Sequence, residues 1–251
     1  MFGSADKPFH AMGPIDLTVA EGEFVSVVGP SGCGKSTLLR VVGGLLNPSS
    51  GELDIFPRAT SRVPTAMVFQ DYSIFPWKTV RDNVRLGLDI AKIPRAEARR
   101  RADEWVERLG LKDFADAYPR ALSGGMRQRV SIARALCVEP EILLMDEPFA
   151  ALDAQLRVLL QEDLLELWEA DRRTVLFITH SLDEAIVLSD RVIVMSARPG
   201  RVLADHLVPF GRPRSHELRG SPEFAAFQQQ LWEQLREEVN RTMTRTPSKQ
   251  S

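Results

Sequence analysis

Only two cysteines, Cys33 and Cys137, occur in 251 residues. Two thiols cannot build a disulfide framework, and they fit a reducing compartment. No apolar run approaches the roughly 18 residues that a membrane-spanning helix needs. The start, Met1-Phe2-Gly3-Ser4-Ala5-Asp6-Lys7, lacks a basic patch followed by an apolar stretch, so no signal peptide is expected. A formal net charge of −2 supplies no long-range pull toward a polyanion, and nucleic acid is not expected as a partner. Internal repeats and low-complexity tracts are absent as well. What is present is a chain of 44% hydrophobic residues, enough for a substantial core in one large domain or a domain with a subdomain.

The most informative stretch is Gly29-Pro30-Ser31-Gly32-Cys33-Gly34-Lys35-Ser36. It matches the phosphate-binding pattern G-x-x-x-x-G-K-[ST] in full and follows a strand-like run, Glu23 to Val28. Glycines let successive backbone N–H groups curl around an anion. Lys35 adds a point charge for the outer phosphates, and the Ser36 hydroxyl can reach a magnesium ion. Thr37 and the residues after it suit a helix whose N-terminus faces the phosphates. A nucleoside triphosphate is the expected ligand.

Short apolar runs at Phe24 to Val28, Met67 to Phe69, Ile142 to Met145, Val175 to Ile178 and Val192 to Met195 read as buried strands. Ile15 to Val19 alternates like an edge strand. Ala154 to Ala170 reads as a helix with Leu156, Leu159, Leu160, Leu164 and Leu167 on one face. Strands separated by helices predict a parallel α/β sheet. Residues 73–122 break the rhythm and read as a mainly helical insertion. Within it, Pro94 to Leu109 predicts a helix with Ala98, Ala102, Trp105 and Leu109 on one side and a solvated basic face elsewhere. The expected division is an α/β core of residues 1–72 and 123–208, a helical subdomain of 73–122, and a C-terminal helical extension with a frayed tail over 209–251.

Glu141 to Glu147 is an apolar strand ending in two carboxylates. Asp146 is placed to hold magnesium, and Glu147 to take a proton from an attacking water. Leu122-Ser123-Gly124-Gly125-Met126-Arg127-Gln128-Arg129 reads as a helix capped by Ser123, with glycines that let a ligand approach the backbone. It is a second anion-binding helix start, distinct from the first.

L-S-G-G-M-R-Q-R is similar to the signature of ATP-binding cassette (ABC) ATPases, and its position between the two phosphate-site motifs fits that family. The resemblance covers essentially the whole chain. It implies a P-loop NTPase core of the RecA-like kind, with a parallel sheet, an antiparallel β edge and a helical subdomain, using ATP and Mg2+. It identifies Gln70 in Val68-Phe69-Gln70-Asp71 with the Q-loop glutamine, which contacts the metal and the attacking water. It identifies Asp153 with the D-loop aspartate and His180 with the switch histidine, which bonds the γ-phosphate. Phe2 resembles the adenine-stacking aromatic. The strand that the family sets before that aromatic is missing, so either the start lies upstream or the sheet lacks its first strand. The resemblance also implies a head-to-tail dimer of two copies. Nucleotide held by Gly29 to Thr37 of one would meet Ser123, Gly124, Gly125, Gln128 and Asp153 of the other.

Ile74-Phe75-Pro76-Trp77-Lys78-Thr79-Val80-Arg81-Asp82-Asn83-Val84 resembles a segment of bacterial importers for nitrate, taurine and aliphatic sulfonates. Arg198-Pro199-Gly200-Arg201, Arg212-Pro213-Arg214 and Ser221-Pro222-Glu223-Phe224 resemble the same branch. That implies an ATPase subunit on the cytoplasmic face of the plasma membrane. Its partners would be integral permease subunits, gripped through Phe75 and Trp77, and indirectly a periplasmic solute-binding protein. Three other readings share some of these motifs. An exporter or lipid-transport cassette keeps the catalysis and changes the partners. A soluble ABC ATPase acting on DNA or ribosomes requires a long coiled coil or two cassettes in one chain. A GTPase or small-molecule kinase has no use for the signature.

Overall fold

The computed structural model describes residues 11–56, 63–214 and 216–245. In chain order the elements are β1 (Phe24–Val28), α1 (Lys35–Val42), β2 (Thr65–Val68), α2 (Val80–Ile90), α3 (Arg95–Arg108), α4 (Gly124–Cys137) and β3 (Ile142–Asp146). There follow α5 (Ala154–Asp171), β4 (Thr174–Ile178), α6 (Leu182–Leu188), β5 (Arg191–Met195), β6 (Val202–Leu207) and α7 (Pro222–Arg245). The chain divides into two compact units, with boundaries after Asp54 and after Val175. Phe2 lies outside the described residues.

In the first unit β1 is buried along its whole length, as an apolar strand covered on both faces must be. It pairs in parallel with β5, with Val27 opposite Ile193. β6 runs antiparallel to β5, with Val192 opposite His206, and supplies the antiparallel edge that the family resemblance implies. Alternate β6 residues are exposed, so one of its faces is covered. Arg191 on β5 ties the edge down by pairing with Glu23 and Asp205. Helix α7 buries Phe224, Phe227, Leu231 and Leu235, a stripe at helical spacing.

Ile15–Val19 forms no strand among the described residues. Its burial alternates, but its backbone enters no ladder with any of them. The Thr18 carbonyl accepts instead from Arg191, and the Ala20 N–H donates to Glu23. A side chain thus takes up the Thr18 carbonyl that a neighbouring strand would have used.

In the second unit β2 and β3 are parallel, with Val68 opposite Met145. Helices α2, α3 and α4 pack on one another. Helix α3 buries Ala98, Ala102, Trp105 and Val106. Its basic face is charge-compensated, since Arg100 and Arg101 pair with Glu97 and Arg101 also reaches Glu139. Helix α5 departs from the expected leucine stripe. It buries Leu160, Gln161, Leu164, Leu165 and Trp168, whereas Leu159 is exposed. Trp168 can go inside because its indole N–H donates to the Arg173 carbonyl, 2.7 Å away.

Candidate functional site

The first unit holds the phosphate loop. It leaves the buried end of β1 at Gly29 and turns into α1 at Lys35. Gly34 has φ +109°, a conformation that L side chains rarely adopt, and a Cβ there would stand 2.4 Å from Met12 Cγ. The Lys35 side chain is only 6% exposed. Its ammonium donates to the Gly29 and Pro30 carbonyls at 2.8 and 3.0 Å. The charge is thereby held at the loop, beside the α1 N-terminus, which adds its own positive field. Cys33 is buried beneath. Burial pushes its thiol up, against the opposing pull of the Lys35 ammonium. A methyl at Gly200 would lie 2.0 Å from the Cys33 carbonyl oxygen, so another backbone segment lies directly against the loop.

His180 also belongs to the first unit. It stands two residues beyond β4 and is exposed, between buried Thr179 and Ser181, the N-cap of α6.

The second unit holds the other candidates. Asp146 ends β3 and is buried. Glu147 follows with φ +45°, in the left-handed region that non-glycine residues seldom enter. Gln70 lies two residues past β2, and its side-chain amide donates to the Glu147 carboxylate at 3.4 Å. Ser123 caps α4, its hydroxyl accepting from the Met126 N–H at 3.3 Å. Gly125 is required by packing, because a Cβ would meet Leu156 Cδ2 at 2.3 Å. Gln128 is fully buried, with no hydrogen-bond partner for either amide atom among the described residues. Asp153 caps α5, accepting from the Leu156 N–H at 2.9 Å. Arg134 of α4 donates to the Tyr72 and Ser73 carbonyls at 3.0 and 2.6 Å, which ties the signature helix to the segment just after Gln70.

Sequence reasoning did not single out Asn83. This buried side chain accepts from the Phe75 N–H and donates to the Phe75, Lys78 and Thr79 carbonyls. It thereby fixes the loop that carries Trp77, which is 70% exposed and meets Phe75 edge-on at 5.4 Å. The signal was the polar Asn at a helix position that should be apolar, between Val80 and Val84.

The model of the ABC transporter family matches residues 12–150, more than half of the chain. The chain is 46% identical to a nitrate import ATP-binding protein of Synechococcus elongatus, over 86% of this chain and 81% of that one. It is 44% identical to a taurine import ATP-binding protein of Rhizobium johnstonii, over 90% and 88%. Among solved structures, a dimeric ATP-binding cassette in a post-hydrolysis state, bound to ADP and Pi, is similar at TM-score 0.72 and 33% identity, over 84% of this chain and 96% of that one.

Proposed function

The chain belongs to the ABC transporter family, and from that premise we propose that it is the ATP-hydrolysing subunit of an importer for a small anionic solute. The observation that carries the chemistry is the hydrogen bond from Gln70 to Glu147, next to the buried Asp146 carboxylate. A neutral amide orients a carboxylate without protonating it, which keeps Glu147 able to accept a proton from water.

The roles divide as follows. Backbone N–H groups from Gly29 to Thr37 cradle the phosphates, and Lys35 draws in the outer ones. Ser36, Asp146 and the Gln70 amide oxygen are hard oxygen donors of the kind magnesium takes, and the bound ion would neutralise phosphate charge. Glu147 is the base, and His180 bonds the γ-phosphate. Ser123, Gly124, Gly125 and Asp153 serve the nucleotide held by a second copy in a head-to-tail dimer. Gln128, whose side chain is buried, supports the start of α4 in that contact.

Residues 73–122 form the subdomain that meets the permease, with Trp77 as an anchor. The nitrate and taurine names of the relatives support import, and both solutes carry an oxyanion group. Selection of that solute falls to a periplasmic binding protein and the membrane subunits, and this chain works at the cytoplasmic face of the membrane. Co-expression with a permease, where a neighbouring reading frame encodes one, tests the reading. Recovery of a detergent-solubilised complex whose ATP turnover rises with the loaded binding protein is expected. Recovery with DNA or ribosomes instead overturns the proposal.

A further inference from the structure

We propose that Thr179 and Glu184 are positioning residues that hold His180 in place. This rests on the reading that His180 meets the γ-phosphate.

Thr179 and Glu184 are 1% and 5% exposed. The Thr179 hydroxyl and a Glu184 carboxylate oxygen are 2.5 Å apart. The hydroxyl donates to that oxygen, so its hydrogen points at Glu184. That leaves the hydroxyl oxygen to accept from the Ser181 N–H, 3.0 Å away. One hydroxyl therefore spans His180, engaging the residue after it while belonging to the residue before it. The two neighbours are fixed from outside as well. The Thr179 N–H donates to the Val27 carbonyl of β1 at 3.3 Å, and the Ser181 hydroxyl accepts from the Glu184 N–H at 3.3 Å.

Glu184 is itself held, because α6 is clamped at its far end. The buried Arg214 guanidinium donates to the Ile186, Val187 and Ser189 carbonyls at 2.7, 3.0 and 2.6 Å. Arg212 adds a bond to the Leu188 carbonyl at 2.6 Å. His180 is exposed, so packing alone does not fix its ring. Its backbone is fixed by the polar chain from Arg214 through α6 to Glu184 and Thr179.

The test compares Thr179→Val, which swaps the hydroxyl for a methyl, with Thr179→Ser, which keeps it. Glu184→Gln serves as a second probe in case the valine variant unfolds. Three readouts apply to the full chain: steady-state ATP hydrolysis, binding of a fluorescent ATP analogue, and nitrogen-15 NMR of the His180 ring, assigned by its loss in His180→Ala. Thr179→Val is expected to slow turnover by about 10- to 100-fold with nucleotide affinity little changed, as misplacement of a reacting group does. Thr179→Ser is expected to restore it to within about twofold, and Thr179→Val is expected to add little in the His180→Ala background. The ring signal should shift in Thr179→Val and stay put in Thr179→Ser. Normal turnover and an unmoved ring in Thr179→Val would overturn the proposal, as would a full additional loss on top of His180→Ala. If His180→Ala alone keeps full activity, the γ-phosphate role is wrong. The ring signal then decides the positioning role by itself.

Discussion

Gln70 donates to Glu147 over 3.4 Å although 77 positions separate them in the chain. Gln70 stands two residues beyond β2, and Glu147 one residue beyond β3. The two strands are parallel, with Val68 opposite Met145. Neighbouring parallel strands release their C-terminal residues at one edge, so polar groups of distant origin meet there.

Replacing Glu147 by Gln should leave ATP binding intact and slow hydrolysis by about 10²- to 10⁴-fold, the usual contribution of proton transfer. The substitution keeps the size and one acceptor oxygen that can still take the Gln70 bond, and it removes the charge and the basicity. Binding of a fluorescent ATP analogue and phosphate release measure the two effects separately. Near-normal turnover would remove Glu147 from the role of base.

Gly200→Ala should destabilise the chain and weaken ATP binding together. The added methyl would press on a backbone atom of the phosphate loop, the Cys33 carbonyl at 2.0 Å, and on Met195 Cε at 2.8 Å. A backbone carbonyl cannot swing aside as a side-chain tip can. Overpacking of this kind costs about 1–3 kcal/mol. In a chain of this size each kcal/mol lowers Tm by about 2–4 °C. An unchanged Tm with unchanged nucleotide affinity would contradict the packing described.

Cys137 gives a pH prediction. Burial is the main cause that pushes its thiol up to about 12. An unfolded thiol titrates near about 8.5. Between those values the unfolded chain has lost a proton that the folded chain keeps. The unfolded state then binds fewer protons, so stability falls as pH rises through that window and is unaffected below it. Urea denaturation of the wild type and of Cys137→Ala isolates the effect. The stability difference between them should shift against the wild type from about pH 7 to about pH 10. A difference that stays constant over that range would show that the thiol titrates normally.

Most of the scaffold could be read directly. Four runs of β-branched and apolar residues are β1, β3, β4 and β5 to within a residue at either end. Their legibility follows from burial on both faces, which leaves no polar position to blur the pattern. Ser123 announced a helix start because a short oxygen side chain ahead of a helical run can satisfy an end N–H, and it does so. β6 was not legible. It carries Asp205 and His206 in its middle, and both polar groups are satisfied by residues far away in sequence, Arg191 and Gln234. Ile15–Val19 misled in the opposite sense, since alternation records which side is covered and carries no information on whether a neighbouring strand exists. Leu159 misled because Gln161 and Trp168 take places on the inner face of α5 that a hydrophobicity count assigns to leucine. The link from Thr179 to Glu184 was invisible for a simpler reason: a Thr and a Glu five positions apart are unremarkable until both are found buried.

Asn83 has a consequence for whatever surface meets Trp77. Three carbonyls and one N–H of the preceding loop are moored to a single buried amide. The backbone under that indole is therefore ordered beforehand, and only the side chain's own rotamers are left to fix when it is covered. Ordering a rotamer-rich side chain at an interface costs roughly 0.5–1.5 kcal/mol. The ordering of the loop backbone, by contrast, falls on the folding of the chain, before any encounter takes place.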